Sequence, residues 1–491
     1  MAQQYRKAAE VLETLSRSRT GLKTIIFGDR SIGVRLKKQV FALVSETLRY
    51  ASVLDELFEQ VDVSEVGTRT EMIRVMVFEL VLGKHRRLVG GGALKKKLIE
   101  LKPALENALA KLMTQAQVET VQELLPEERR RVEMPRYARV NTLVKSFDDT
   151  AAALLADGFT QVTAQAPVEQ RDFRADDAVP NLLEFSPAAH KFLFEHDLVK
   201  SGALILQDKA SCFTAAALDP LPEWRVIDGC AAPGNKTTQL ATQAKQVLAY
   251  EIDERRCKLL RRRVHALHAN KVISVVHGSF LDAQDDAVDA ILLDPSCSGS
   301  GLVQHRADHL HQERSDVPAL AAFQKRLLSH ALTAFPGAQR VAYSTCSVHE
   351  EENEQVVLHA LQTHPQWRLR SGCLPAWKRR GLASFDWSGL TPEQQHCDLS
   401  ECLVRACPQN DRTNGFFVAV FERIPGYEVT ETVDAPSLPA VKTAKKPATQ
   451  QLGKKRTKPS AKSRKQQNKD KRRKLVPKSQ NKLLLSRKFG L

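Results

Sequence analysis

Apolar residues recur every three or four positions along the first 130 residues, as in Val40, Leu43, Val44 and Leu48 and again in Met72, Val75, Met76 and Leu80. That spacing gathers them on one helical face, so residues 1–130 are expected to form a helical N-terminal domain. Gly90-Gly91-Gly92 breaks the pattern ahead of Lys95-Lys96-Lys97 and reads as a flexible loop. Residues 135–200 change character. Pro135–Leu143 reads as a short strand and Asp148–Ala156 as a helix, which together predict a small α+β module.

From residue 201 to about 425 the pattern alternates. Apolar runs at Arg225–Asp228, Val247–Glu251, Ile273–Val276, Ala290–Leu293 and Arg340–Tyr343 read as strands. Helical periodicity separates them, at Glu254–His268 and Val317–Ala334. Strand and helix in alternation predict an α/β fold with a doubly wound, Rossmann-like parallel sheet. Gly415–Phe421 reads as a further strand, pairing antiparallel at the sheet edge. From about 430 the chain is rich in Pro and Lys with few aromatics, the composition of a disordered basic tail.

Composition changes this picture in two places. The 491 residues carry a formal net charge of +16, yet residues 441–491 alone hold 19 Lys and Arg against one acid, Asp470. The rest is close to neutral, so any grip of the body on a polyanion must come from local patches. The nine cysteines are too sparse and odd in number for a disulfide scaffold. Free thiols in a reducing compartment are the expectation. The N-terminus lacks the apolar block of a signal peptide, and no run approaches the ~18 apolar residues of a membrane helix.

Candidate chemistry lies in the α/β region. The first strand runs into Asp228-Gly229-Cys230-Ala231-Ala232-Pro233-Gly234-Asn235-Lys236-Thr237. Its small residues let backbone approach a ligand at the carboxyl end of the sheet, where such folds bind cofactors. It is neither GxGxxG nor a phosphate loop, because Asn235 displaces Lys236-Thr237 by one place. Glu251 ends the next strand, placed to accept hydrogen bonds from a ribose diol; the alternative is a cap for the helix from Glu254. Cys297 follows the fourth strand in Asp294-Pro295-Ser296-Cys297-Ser298-Gly299, and Cys346 follows the fifth in Ser344-Thr345-Cys346-Ser347. Parallel neighbours would bring both to the rim of the cofactor loop. A lone cysteine is usually a buried small hydrophobe, but two at strand ends with Ser, Thr and Gly around them suit reactive thiols. His396, Cys397, Cys402 and Cys407 lack CxxC spacing, so no metal is expected there.

Together these motifs, with Arg139-Val140-Asn141-Thr142-Leu143, Leu206-Gln207-Asp208-Lys209-Ala210-Ser211, Glu351-Glu352-Asn353-Glu354 and Gly415-Phe416-Phe417-Val418-Ala419, resemble the Sun-domain RNA 5-methylcytosine methyltransferases over about residues 135–425. The Gly234-Asn235 pair, the Asp-Pro-Ser-Cys order, the N-terminal glycine loop and the basic tail are most similar to the fifth Sun-domain branch of animals. The resemblance implies S-adenosyl-L-methionine as cofactor and RNA as partner, with a cytosine in large-subunit ribosomal RNA or a pre-ribosomal particle as substrate. It implies Cys346 as the nucleophile, Cys297 as the thiol that assists release, and Asp294 at the cytosine N3 edge. Lys209 would line the same pocket. Cofactor would lie on Cys230, Ala231, Ala232, Pro233, Gly234, Asn235 and Lys236, with Glu251 at its ribose and Arg256 and Asp294 nearby.

Two departures stand out. Many relatives have Gly-Gly-Lys at Gly234-Asn235-Lys236, and many have Asp-x-Pro-Cys where this chain places its proline one residue earlier, a shift that could re-aim Cys297. The residues 1–130 and 135–200 are expected to help select RNA, with the glycine triplet as an alternative phosphate contact. Lys454-Lys455-Arg456 and Lys471-Arg472-Arg473-Lys474 suit nuclear import and nucleolar retention; the plainer alternative is non-specific RNA affinity. Two rival readings are a DNA cytosine methyltransferase using Cys297 as nucleophile and a non-catalytic pre-ribosomal RNA-binding assembly factor.

Overall fold

The computed structural model describes residues 3–17, 21–67, 69–127, 130, 132–163, 168–302 and 316–427. The expected disordered tail and its basic clusters lie outside them. Residues 1–433 group as one compact unit.

The N-terminal region is helical, with helices at Gln3–Leu15, Leu22–Gly28, Val34–Arg49, Ala51–Gln60, Thr70–Val77 and Ala93–Ala116. Their apolar faces, including Val40, Val44, Leu54, Met72, Met76 and Leu105, close into one core. The glycine triplet forms an open turn into the last helix: Gly90 and Gly92 have positive φ, and Gly92 is the N-cap. Lys95 Nζ folds back on the Gly90 carbonyl at 2.8 Å.

The small module is a five-stranded sheet made of β1 (Arg136–Val140), β2 (Thr160–Gln161), β3 (Asp172–Ala175), β4 (Leu182–Phe185) and β5 (Leu204–Leu206), in the order β2-β3-β4-β1-β5. Phe173, Phe185, Leu183 and Leu154 fill its core. The expected helix runs from Phe147 to Ala156, capped by Ser146 accepting from the Asp149 amide.

The α/β region is an eight-stranded sheet: β6 (Arg225–Asp228), β7 (Gln246–Glu251), β8 (Ile273–His277), β9 (Ala290–Leu293), β10 (Arg340–Thr345), β11 (Trp367–Leu369), β12 (Val404–Ala406) and β13 (Phe416–Arg423). The order is β11-β13-β10-β9-β6-β7-β8, with β12 also paired to β13. β6 through β10 run parallel, and β13 lies antiparallel to β10. Helices cover both faces, Glu254–Ala266 on one and Val317–Thr333 on the other, over separate apolar cores. Burial on both faces explains why β9 reads as an unbroken apolar run.

One expectation needs correction. The strand expected at Gly415–Phe421 is antiparallel but not an edge: β11 and β12 both pair with β13 beyond β10. Those strands have only three residues each, too few to show a period of two.

Chain order reverses between β6 and β9, with β7 and β8 on one side and β9 and β10 on the other. That is the switch point at which a doubly wound sheet opens a crevice at its carboxyl edge.

Candidate active site

A cavity of about 730 Å³ opens at that switch point. Its walls come mostly from the segments that follow β6, β7, β8, β9 and β10, with Gly21 of the N-terminal region also lining it.

At one end sits the loop after β6. Gly229 is required there, because an added Cβ would lie 2.7 Å from Leu293 and 2.9 Å from Phe280. Gly234 has φ +105° and caps the helix Asn235–Leu240. The loop is tied down by Asp228, which is buried and accepts from Thr237 Oγ1 at 2.7 Å and the Cys230 amide at 3.3 Å. Burial raises the Asp228 carboxyl to about 6, opposed by the Thr237 hydroxyl and assisted by Asp294. Burial likewise pushes the Cys230 thiol upward. Cys230, Ala232 and Pro233 line the cavity. Ala231 lies buried beneath it. Asn235 turns outward to accept from Arg263.

Glu251 lines the cavity from the end of β7 and is 4% exposed. Its Oε1 takes the Asp253 amide at 2.8 Å, and its Oε2 lies 3.5 Å from Arg256 Nη1. Arg256 also donates to the Ala232 carbonyl, joining loop and acid. Ile252 beside them is 70% exposed although apolar, and it faces the cavity with Phe280 and Leu281. A ribose acceptor, a small-residue loop and an apolar wall fit a nucleoside cofactor such as S-adenosylmethionine.

At the other end the two sulfurs meet. Cys297 Sγ and Cys346 Sγ are 3.1 Å apart, so the displaced proline does not remove Cys297 from the site. The hydrogen bond to Cys346 is the leading cause that raises the Cys297 thiol, with burial second. Asp294 Oδ1 accepts from Ser344 Oγ at 2.9 Å, and Oδ2 pairs with Lys236 Nζ at 2.7 Å. Burial alone would lower the Lys236 ammonium, but Asp294 raises it above its ordinary value. Lys236 therefore belongs to the Asp294 end rather than to the loop's cavity face.

The structure does not bring Lys209 to this cavity. Its Nζ pairs with Asp176 at 2.6 Å and lies 4.9 Å from the Trp377 ring centre. Lys209 opens a helix whose N-cap is Asp208, and that start aims it at the small module. Lys236, the second residue of the helix Asn235–Leu240, takes the place by Asp294.

The buried Glu352 and Asn353 hold both cysteine loops, a role the sequence reading did not assign. Glu352 Oε1 accepts from the Ser298 amide at 2.9 Å and from Gln324 Nε2 at 3.0 Å. Asn353 Nδ2 donates to the Ser347 carbonyl at 3.1 Å and its Oδ1 accepts from Thr345 Oγ1 at 2.5 Å. Two adjacent acid and amide residues just past a strand-end cysteine were the available signal. The small module also reaches in. Arg139, fully buried, donates to Gln207 at 3.0 Å and Thr238 at 3.1 Å, and Asn141 Nδ2 to the Gly202 and Leu267 carbonyls at 2.9 Å. Burial lowers Arg139 to about 10.

Cys407 Sγ donates to Gln409 Oε1 at 3.2 Å. Among the described residues no group of three or more His, Cys, Asp or Glu is arranged to hold a metal. No helix among them is long and apolar enough to cross a membrane.

Comparison with known proteins agrees with this geometry. Residues 215–422 match the family described as 16S rRNA methyltransferase RsmB/F. Residues 38–125 and 134–207 match the N-terminal and ferredoxin-like domains of NOL1/NOP2/Sun domain family member 5. A 28S rRNA (cytosine-C(5))-methyltransferase of Mus musculus is 37% identical, over 85% of this chain and 90% of its own. The 25S rRNA (cytosine-C(5))-methyltransferase rcm1 of Schizosaccharomyces pombe is 36% identical, over 84% and 90%. The crystal structure of PH0851 is similar in fold, with TM-score 0.54 and 21% identity over 80% of this chain and 91% of that one. The chain thus belongs to the NOL1/NOP2/Sun family of S-adenosylmethionine-dependent RNA cytosine-C5 methyltransferases, in the branch of family member 5.

Proposed function

We propose that this protein methylates carbon 5 of a cytosine in large-subunit ribosomal RNA through a covalent adduct at Cys346. The carrying observation is the pair of sulfurs 3.1 Å apart beside Asp294, at the far end of a cavity from Glu251.

Carbon 5 of cytosine is a weak nucleophile. Addition of Cys346 Sγ to carbon 6 moves electron density toward carbon 5 and places a proton demand on N3. Asp294 meets that demand, with the Lys236 ammonium one hydrogen bond behind it as proton reserve. S-adenosylmethionine supplies the electrophilic methyl group when bound. Glu251 would hold its ribose with Arg256 beside it, and the loop Cys230–Gly234 would orient it. The carbon-5 proton passes to solvent water and the N3 proton returns to Asp294, restoring the aromatic ring as the carbon 6–sulfur bond breaks and its electron pair returns to the Cys346 sulfur. Cys297, held as a thiol, donates its hydrogen bond to the departing Cys346 sulfur. The base must be unstacked to enter the cavity.

The protein acts in ribosome biogenesis in the nucleolus, with residues 441–491 as the retention signal. Deleting them is expected to disperse nucleolar protein and flatten the salt dependence of RNA binding; a truncated protein that still concentrates there refutes the assignment. For the reaction, bisulfite sequencing of total RNA is made in cells lacking the protein and then restored with wild type or Cys346→Ala. One large-subunit cytosine should lose its methyl group and regain it with wild type alone. Full restoration by Cys346→Ala would exclude it as nucleophile, and no change at any cytosine would favour a non-catalytic assembly role.

A further inference from the structure

A second cavity, of about 360 Å³, lies where β1 and β5 of the small module meet the catalytic region. Leu193, Leu206 and Leu302 give it apolar walls. Leu302 also lines the catalytic cavity, so the two share a wall. Backbone ties fix that wall. The Gly301 amide donates to the Cys346 carbonyl at 2.9 Å, and the Gly415 amide to the Gly301 carbonyl at 2.8 Å. A side chain on Gly301 would collide with Gly415.

The polar lining is of two kinds. Asp208 is already engaged, accepting from Thr413 Oγ1 at 2.8 Å and from the Ala210 amide at 3.2 Å. Arg136 and His190 are not. Neither side chain has a hydrogen-bonding partner among the described residues, and Arg136 Nε is buried in that state. An apolar slot takes a ring, while the carboxyl group of Asp208 disfavours an anion inside. An arginine and an imidazole at the side can stack on a base.

We infer that this cavity holds the base of a nucleotide neighbouring the target cytosine in an unpaired RNA segment. The inference rests on the RNA methyltransferase reading and deepens it. A base seated there fixes the strand's path past Cys346 and so contributes to which cytosine is methylated.

The test uses the full chain and oligoribonucleotides spanning the target cytosine, each with one abasic nucleotide within two positions of it. Steady-state methylation is measured for wild type, Arg136→Gln and His190→Ala. With wild type, one abasic position should raise the KM for RNA about tenfold, the scale of a lost base stack. Each variant should raise the KM for intact RNA several-fold yet add almost nothing on that abasic RNA. The KM for S-adenosylmethionine and the kcat at saturating RNA should stay within about twofold, which shows that the variants fold. Penalties that simply multiply would overturn the pocket while RNA methylation stands, and so would variants indistinguishable from wild type on intact RNA. A wild type that turns over none of the RNAs would remove the reading beneath it.

Discussion

Cys297 and Cys346 bring their sulfurs to 3.1 Å, and Cys397 and Cys402 bring theirs to 2.7 Å. The first pair joins the ends of two neighbouring parallel strands, β9 and β10, and faces a cavity. The second lies five residues apart on one loop before β12, packed against the apolar core beneath Leu403. Around the first stand Asp294, Lys236 and Ser344. Around the second, Cys397 meets His396 at 3.5 Å and Cys402 donates to the Asp398 carbonyl at 3.5 Å. Burial is the main cause that pushes the Cys402 thiol up, whereas Cys297 is raised first by its sulfur partner. Thiol proximity alone therefore marks neither site. Placement at a sheet's carboxyl edge, with a proton-handling pair beside it, distinguishes the reactive one.

The largest contrast comes from deleting one sulfur of each pair. Cys346→Ala should lower kcat by at least roughly a thousandfold, the scale of losing a covalent nucleophile. Cys402→Ala should leave kcat within about twofold and lower Tm by a few degrees, as a small buried truncation does. A Cys402→Ala protein without activity would erase the distinction. Next, Cys297→Ala should accumulate a denaturant-resistant protein–RNA adduct, visible as a shifted band on a denaturing gel. Cys397→Ala should form none, and the Cys297, Cys346 double variant should lose it. Lys236→Met should lower kcat by about a hundredfold, within the range for general acid–base partners, with S-adenosylmethionine affinity changed far less.

A pH slope in stability is a further expected effect. The folded-state carboxyl of Asp228 sits at about 6, above the ordinary carboxylate value. The folded protein thus holds this proton more tightly than the unfolded chain. The associated stability is complete below about pH 4 and is lost as pH rises through about 6, amounting to about 3 kcal/mol. Wild-type Tm should fall relative to Asp228→Asn across that window in denaturation scans. Cys402, whose thiol is pushed up by burial, should add no slope there. Parallel curves for wild type and Asp228→Asn would remove the burial argument.

Much of this site was legible because strand ends announce themselves. Apolar runs stopping at Asp228, Glu251, Asp294 and Cys346 gave the cavity rim, and the glycines at 229 and 234 gave the loop. Lys209 misled because sequence order does not show which way a helix start points: Asp176, 33 positions earlier, captures its amine. The task of Glu352 is hidden in the sequence because its partners at Ser298 and Gln324 lie far along the chain, whereas Asn353 bonds the nearby Thr345 and Ser347. The short β11 and β12 carried too few residues for any periodic signal.

Arg139 lies in β1 and Asn141 just after it, yet their side chains end on the helix Asn235–Leu240 and on Leu267, the C-cap of the helix Glu254–Ala266. Separating the module would break these buried hydrogen bonds across the seam, from Arg139 to Thr238 and from Asn141 to the Leu267 carbonyl, and so is costly. The module is therefore a fixed jaw rather than a tethered arm. A chimaera that exchanged it for another chain's module would have to import the receiving surface as well.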